Sequence, residues 1–357
     1  MRFEPLDVAD HVNQGQTLPK HFYTDSEVFE YEKGAIFRRE WLPVARFDQL
    51  PNSGDYLTYD LFGDEIVVIR DTSGTVNAFS NVCLHRGCAI LQDRGHLDSN
   101  VIACPYHKWG YDLDGKFRGA PFMDQAEDFD RTDMRLPKVQ VEEWQGWIFI
   151  NVDPSAAPLA SQLTELGDRL SPWGFADLKL VDTLTFESPW NWKIMVENFL
   201  ESYHHTATHP ETLNAAYPAK GTHAEQVNGN YILLENPSID KDNVPHFWAG
   251  CILPFTLFSL VRDKQSATGT WYQMLIDDQG NFRLHIHLLV SPAMASDEVA
   301  VKEYTEIVTR IHLEDIPRCQ GVWKGVNSRF YQQGRLSHLE ECNWQFHHYL
   351  ADRLRNV

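Results

Sequence analysis

Residues 81–115 read NVCLHRGCAILQDRGHLDSNVIACPYHKWGYDLDG. They hold Cys83-Leu84-His85 and, after a gap of eighteen residues, Cys104-Pro105-Tyr106-His107. Two short pairs of Cys and His, separated by a loop-sized gap, can close on one metal centre. Four cysteines would point to zinc or to an ordinary iron–sulfur cluster. Two Cys and two His, one of each in each pair, fit a [2Fe–2S] cluster in which histidines replace cysteines on one iron. A structural zinc site of the Cys₂His₂ kind is the rival, but there the two cysteines usually form one pair and the two histidines the other. Gly87, Gly95, Pro105 and Gly110 allow tight loops around the sulfurs, whose backbone N–H neighbours tune such a cluster.

The flanking sequence reads as strands. YLTYDLFG, DEIVVIRD, TVNAFSNV, NVIACP and WGYDLDGKF alternate or run apolar and stop at Gly, Asp or Asn. Asp71-Thr72-Ser73-Gly74 and Asp112-Leu113-Asp114-Gly115 read as hairpin turns. WQGWIFINV, over residues 144–152, is a strongly apolar closing strand. Residues 41–152 are therefore expected to form a small all-β domain that carries the cluster on two loops. Residues 1–40 hold a polar lead-in, then Thr24-Asp25-Ser26 as the N-cap of a helix striped by Phe29, Ile36 and Phe37. Residues 153–180, with Pro154, Pro158 and Pro172 around a helical SQLTELGDRL, read as a junction.

Residues 181–357 have a different pattern. LVDTLTFESP reads as a strand, and WNWKIMVENFLESYHH as a helix with Trp192, Met195, Val196, Phe199 and Leu200 on its apolar side. NYILLEN, CILPFTLFSLVRD, TGTWYQMLIDD and NFRLHIHLLVSP read as strands, with a hairpin turn at Asp278-Gln279-Gly280-Asn281. Residues 297–316 and 338–355 return to helical periodicity. The fold class expected is α+β: the β domain first, then a sheet with a long helix packed against it and a site between helix and sheet.

Composition narrows the function. The 357 residues suffice for two ordinary domains, and 43% hydrophobic with 23% charged residues is a globular balance. A net charge of −19 argues against nucleic acid and against an anionic membrane as partners. No run of about 18 apolar residues suggests a membrane span, and the first residues lack the basic and apolar regions of a signal peptide. Six cysteines without framework spacing point to a reducing, cytoplasmic setting. Cys88, Cys251, Cys319 and Cys342 read as free thiols, with Cys88 a candidate for contact with the cluster's surroundings.

A cluster alone only relays electrons. Glu197-Asn198-Phe199-Leu200-Glu201-Ser202-Tyr203-His204, followed by His209, supplies a second centre. Two histidines and one carboxylate make the facial triad of non-haem Fe(II) oxygenases, which leaves positions open for O₂ and substrate. The His204-to-His209 spacing is one longer than an unbroken helical pair, so the helix must end, and Thr208-His209-Pro210 is where that is expected.

CLHRG…CPYHKWGYDLDG resembles the Rieske domain of ring-hydroxylating oxygenases, whose pattern is C-x-H-R-G…C-x-x-H-G-W-x-Y-D-x-x-G. The later stretch resembles the catalytic signature of their α subunits, N-W-K…E-N-x-[DE]-x-Y-H-x₄-H. One departure is Lys108, where the family usually has Gly; it bears on loop conformation and on the donor-docking surface and removes no ligand. The resemblance implies Cys83, His85, Cys104 and His107 on the Rieske cluster, and His204 and His209 on a mononuclear Fe(II). It implies a late helical aspartate as third iron ligand, which Asp315 matches, with Glu314 as the competing neighbour. It places Glu201 at the family's bridging position, usually Asp, between His204 and His107 of a neighbouring subunit in a head-to-tail homotrimer. It also implies a helix-grip catalytic domain, O₂ as co-substrate, and NAD(P)H electrons from a separate flavin- or ferredoxin-type reductase. The chain itself shows no GxGxxG and no plant-type ferredoxin spacing.

The implied outcome is hydroxylation or oxidative demethylation, with aromatic cis-dihydroxylation as the alternative. A bridging Glu and a short chain resemble the branch acting on quaternary ammonium compounds such as betaines or carnitine. Trp248, Phe255, Phe258, Trp271, Tyr272 and Tyr203 are candidates for a cation cage, for an aromatic-ring pocket, or for plain core. His285 and His287 share a strand face and are candidates to line the pocket. A rival of another class is a non-enzymatic Rieske electron carrier with a ligand-binding domain. A zinc-binding interaction protein is the third reading.

Overall fold

Valine-, isoleucine- and aromatic-rich runs bounded by turn residues make ten strands in the first part of the chain. The computed structural model describes residues 4–239, 246–262 and 267–355. It divides into two units, Arg38–Leu159 and Met1–Phe37 with Ala160–Val357.

The unit Arg38–Leu159 is all-β. Its strands are β1 Leu42–Arg46, β2 Asp55–Leu61, β3 Asp64–Arg70, β4 Val76–Ser80, β5 Arg94–His96, β6 Val101–Ala103, β7 Gly110–Asp112, β8 Phe117–Gly119, β9 Lys138–Trp144 and β10 Trp147–Asn151. They form an antiparallel sheet of order β1-β10-β9-β4-β3-β2-β5 and a small one, β6-β7-β8. The turns expected at residues 71–74 and 112–115 join β3 to β4 and β7 to β8. The core beneath the small sheet contains Val67, Ile69, Phe79, Ile102, Trp109 and Tyr111, and Cys83 and Cys104 are buried among them.

The other unit is α+β. Asp25 caps a helix as its sequence suggested, its carboxylate accepting the Glu27 N–H. The helices are α1 Lys20–Thr24, α2 Ser26–Glu32, α3 Leu159–Gln162, α4 Thr164–Leu170, α5 Trp192–Phe199, α6 His205–Thr208, α7 Glu298–Asn327 and α8 Glu341–Arg355. Seven strands, β11 Lys179–Ser188, β12 His223–Ala224, β13 Tyr231–Asn236, β14 His246–Ile252, β15 Thr256–Arg262, β16 Ala267–Asp278 and β17 Asn281–Val290, pair antiparallel in the order β11-β17-β16-β15-β14-β13-β12. One face of this sheet packs toward α7 and the α5–α6 segment, with Tyr304 of α7 donating to the Gly269 carbonyl at 2.8 Å.

Three local expectations change. The segment read as the single strand CILPFTLFSLVRD is two, because Leu253 and Pro254 separate β14 from β15. The helix expected over residues 297–316 runs on to Asn327, straight through Pro317. An internal proline costs about 3 kcal/mol, yet the helix continues, with the apolar Val308, Cys319 and Val326 buried along one side. The helix read through residue 205 stops at Phe199 instead, and a second, one-turn helix begins at His205.

Candidate functional site

Two loops of the all-β unit bring the Cys–His pairs together. Asn81, fully buried, staples the first: its Oδ1 accepts the Ile90 and Leu91 N–H groups at 3.1 and 3.0 Å, and its Nδ2 donates to the Leu91 carbonyl at 2.9 Å. The two loops repeat one design. Gly87 N–H donates to the Cys83 carbonyl at 2.9 Å and Lys108 N–H to the Cys104 carbonyl at 3.0 Å. Cys83 and Cys104 N–H donate forward to Cys88 and Trp109 at 2.9 and 2.8 Å. The fourth residue after each cysteine is left-handed, with φ +69° at Gly87 and +60° at Lys108. Lys108 thus keeps the turn that its sister loop makes with glycine.

Cys83 and Cys104 lie in the core, while His85 is exposed and His107 half-buried. The two Nδ1 atoms converge to 3.2 Å, with the rings edge-on at 4.6 Å and His85 stacked on Trp109 at 4.8 Å. Two thiols inside and two imidazole nitrogens outside are the donor chemistry of a Rieske cluster, and these residues fit it. Sequence reasoning missed Tyr111. Its buried hydroxyl accepts the Leu84 N–H at 3.0 Å and lies 3.3 Å from Cys83 Sγ, where it can donate to a thiolate. Burial, with Cys83 beside it, pushes this phenol above its usual pKa. Cys88 is only partly buried and packs at the edge of the same core; Cys251, Cys319 and Cys342 are buried thiols.

The second donor set forms where α5 breaks. His204 is the N-cap and His209 the C-cap of the single-turn α6. The five-residue spacing is therefore the length of one turn with both ends turned inward, and the helix ends before His204 rather than after it. His209 Nε2 lies 2.9 Å and His204 Nε2 3.5 Å from Asp315 Oδ1. Two ligands at right angles on a first-row metal about 2.1 Å away are separated by roughly 3 Å, so the three side chains fit a facial triad. Burial would raise the Asp315 pKa, but His209 and His204 more than offset it and hold the carboxylate below its usual range.

Each histidine is backed by a carboxylate. His204 Nδ1 is 2.6 Å from Glu201 Oε1, and Glu201 Oε2 accepts the His204 backbone N–H at 3.0 Å. His209 Nδ1 is 2.7 Å from Glu314 Oε2. An ionised carboxylate can only accept, so both Nδ1 atoms carry the proton and both Nε2 lone pairs face the metal position. Glu314, the competing neighbour of Asp315, is thus on the far nitrogen of His209. A spacing of three would put Glu201 and His204 on one face of a continuous helix, but α5 ends at Phe199, and the broken backbone lets Glu201 fold onto His204.

A cavity of about 300 Å³ opens from this triad. Phe199, Tyr217, Phe247, Tyr272 and Tyr304 supply its aromatic wall. Among the described lining residues there is no lysine or arginine, whereas Glu201 and Asp315 are present. Of the six aromatic candidates read from sequence, Tyr272 alone is in the wall. Register explains the rest. Tyr272 faces the cavity, as do Thr270 and Thr268 with their β15 partners Ser259 and Val261, and Trp271, directly opposite Phe258, faces the other way, as Trp248 does. Phe255 packs on Phe37 and Trp192, and Tyr203 is exposed. His287, directly opposite Trp271, shares its outward face with His285; its ring bonds Thr183 and Gln273 at 3.0 and 3.2 Å, away from the cavity.

A β unit with a Rieske-type donor set and a sheet-and-helix unit with a facial triad define a class: a two-centre non-haem iron oxygenase. Comparison with known proteins agrees. Residues 40–139 match the Rieske [2Fe–2S] domain, and residues 175–247 and 235–356 match the ring hydroxylating α subunit catalytic domain. The chain belongs to the Rieske oxygenases as a catalytic α subunit. It is therefore an O₂-using oxidoreductase with a Rieske cluster and a mononuclear iron, served by a reductase partner and acting on a small molecule. The carnitine monooxygenase oxygenase subunit of Acinetobacter pittii is 33% identical over 93% of this chain and 91% of its own. The glycine betaine monooxygenase oxygenase subunit of Pseudomonas aeruginosa is 34% identical over 91% of this chain and 86% of its own. A solved quaternary ammonium Rieske monooxygenase, described as revealing carnitine oxidation and inter-subunit electron transfer, superposes with a TM-score of 0.85 at 31% identity, covering 99% of both chains. No helix among the described residues is long and apolar enough to cross a membrane.

Proposed function

We propose that this chain is the oxygenase component of a monooxygenase for a small quaternary ammonium compound of the betaine or carnitine type. The observation that carries the reading is the cavity. Its wall is aromatic, its described charged groups are acidic, and it ends at His204, His209 and Asp315. A quaternary ammonium group cannot donate hydrogen bonds and is held by ring faces instead. The names and identity of the carnitine and glycine betaine relatives support the same substrate class.

Cys83, His85, Cys104 and His107 hold the cluster; His204, His209 and Asp315 hold the iron. When bound, the cluster supplies one-electron relay and the iron supplies O₂ activation. The rest is the chain's own work. Glu201 fixes the His204 tautomer and orientation and, in a head-to-tail trimer, accepts a second hydrogen bond from His107 of a neighbouring copy. The aromatic wall orients the ammonium so that a carbon beside nitrogen points toward the triad, and it excludes water from that carbon. Overall, substrate, O₂, NAD(P)H and a proton give hydroxylated substrate, water and NAD(P)⁺. Hydroxylation next to nitrogen yields a carbinolamine that breaks into an amine and a carbonyl compound.

The test is substrate depletion with a surrogate reductase. Carnitine, γ-butyrobetaine, glycine betaine, choline and naphthalene are incubated under ¹⁸O₂ and products weighed. A product from a quaternary ammonium compound, with one ¹⁸O in the carbonyl fragment before exchange, is expected. Turnover of naphthalene alone, with two ¹⁸O atoms, would replace this reading with ring dihydroxylation.

A further inference from the structure

His204 and His209 are both backed by carboxylates, but the two carboxylates are built differently. Glu201 lies in the break between α5 and α6, and its second oxygen accepts a backbone N–H. Glu340 lies within Coulombic reach of it, as another acid. Glu314 sits on the regular helix α7, immediately before Asp315. Consecutive helical residues point about 100° apart. Asp315 therefore reaches Nε2 of His209 while Glu314 reaches Nδ1 of the same ring, at 2.9 and 2.7 Å. One turn of one helix grips one fully buried imidazole from both ends.

Glu314 is also held by two further donors. Its Oε2 accepts the Thr212 hydroxyl at 2.7 Å, and its Oε1 accepts Arg310 Nε at 3.2 Å. Arg310 continues to Glu211 at 2.9 Å. The chain Glu211–Arg310–Glu314–Thr212 fastens the backbone just past His209 to α7. Both Glu314 oxygens therefore meet donors: Oε2 faces His209 Nδ1 and the Thr212 hydroxyl, and Oε1 faces the Arg310 guanidinium. A charged acceptor on Nδ1 fixes the tautomer and makes the opposite nitrogen a stronger ligand.

We infer that Glu314 is a positioning residue, not a ligand: it locks His209 for iron, with Arg310 and Thr212 locking Glu314. The division of labour follows. Glu314, charge-compensated and anchored on a rigid helix, serves metal retention. Glu201, on broken backbone, is left for coupling between centres. This rests on the ligand assignment proposed above.

The test measures iron affinity of the cluster-loaded protein by competition with a ferrous chelator, together with thermal midpoints of the iron-free form. Outer partners of metal-bound histidines typically contribute about 10–100-fold in affinity. Glu314→Leu is expected to weaken iron binding by about that factor. Glu314→Gln, which keeps the shape and can still accept the Nδ1 proton, is expected to lose several-fold. Arg310→Met, removing a half-exposed partner, is expected to lose less than either. The cluster's EPR signal and the iron-free midpoint of Glu314→Gln should stay at wild-type values, which separates positioning of the ligand from support of the fold. Iron affinity of Glu314→Gln within error of wild type overturns the inference, whether or not Glu314→Leu folds. His209→Ala is the control for the underlying assignment. If it retains iron, the ligand set itself is wrong; if it loses iron while the Glu314 variants do not, the inference alone is wrong.

Discussion

Replacing Lys108 by glycine should stabilise the protein although it removes a side chain beside a cluster ligand. Lys108 has φ +60°. A non-glycine residue in the left-handed region costs about 1–2 kcal/mol, and glycine gives back about 0.5–1 kcal/mol through its freer unfolded chain. The expected net gain is about 0.5–1 kcal/mol, or roughly 2–4 °C for a unit of this size. The sister loop supplies the opposite experiment. At Gly87, with φ +69°, an added Cβ would meet only Val82 Cγ1 at an ordinary 3.8 Å. Gly87→Ala should therefore lose about 1 kcal/mol from backbone strain alone. Both variants would be melted at one scan rate, following the cluster's visible circular dichroism, since loss of the cluster makes unfolding irreversible. Opposite shifts support the account. A lower midpoint for Lys108→Gly would refute it, and would mean that the ammonium stabilises the loop by more than the strain it causes.

Other outcomes follow from the same geometry. His209→Ala should purify with the cluster's EPR signal intact and with one iron per chain fewer by metal analysis. Glu201→Gln should retain both metals and yet stop transfer between them, so a normal single-turnover rate from pre-reduced enzyme would remove the bridging role. Glu32 and Lys193 form a fully buried ion pair at 2.7 Å, with Trp192 Nε1 donating to the other Glu32 oxygen at 3.2 Å. Glu32→Gln should cost about 3–5 kcal/mol in urea unfolding because it strands a buried ammonium. Adding Lys193→Met should restore much of that loss; a double variant no more stable than the single would count against the stranded charge as its cause.

What could be read from the chain alone was whatever is encoded between near neighbours. Cys83 with His85, and Cys104 with His107, are each a turn apart, so each pair needs only a tight loop, and these pairs together with the Glu197-to-His209 stretch carry the resemblance to the family. The strand-and-turn grammar around them marks the β unit for the same reason, and Asp25 announces its helix locally. Local signals failed where distant packing decides. Pro317 should have ended α7, and the buried side of that helix carries it past. The α5 segment has helical composition through residue 205, yet it breaks at Phe199, so Glu201 folds onto His204 instead of lying along a helix face. Side-chain alternation shows that neighbouring residues of β16 face opposite ways, but not which face meets α7. Only the assembled sheet turns Tyr272 into the cavity and Trp271 out of it. Likewise the adjacent acids Glu314 and Asp315 are nearly equivalent in sequence. Their different positions, one on Nδ1 and one on Nε2 of His209, exist only because α7 lies across α6 at that residue.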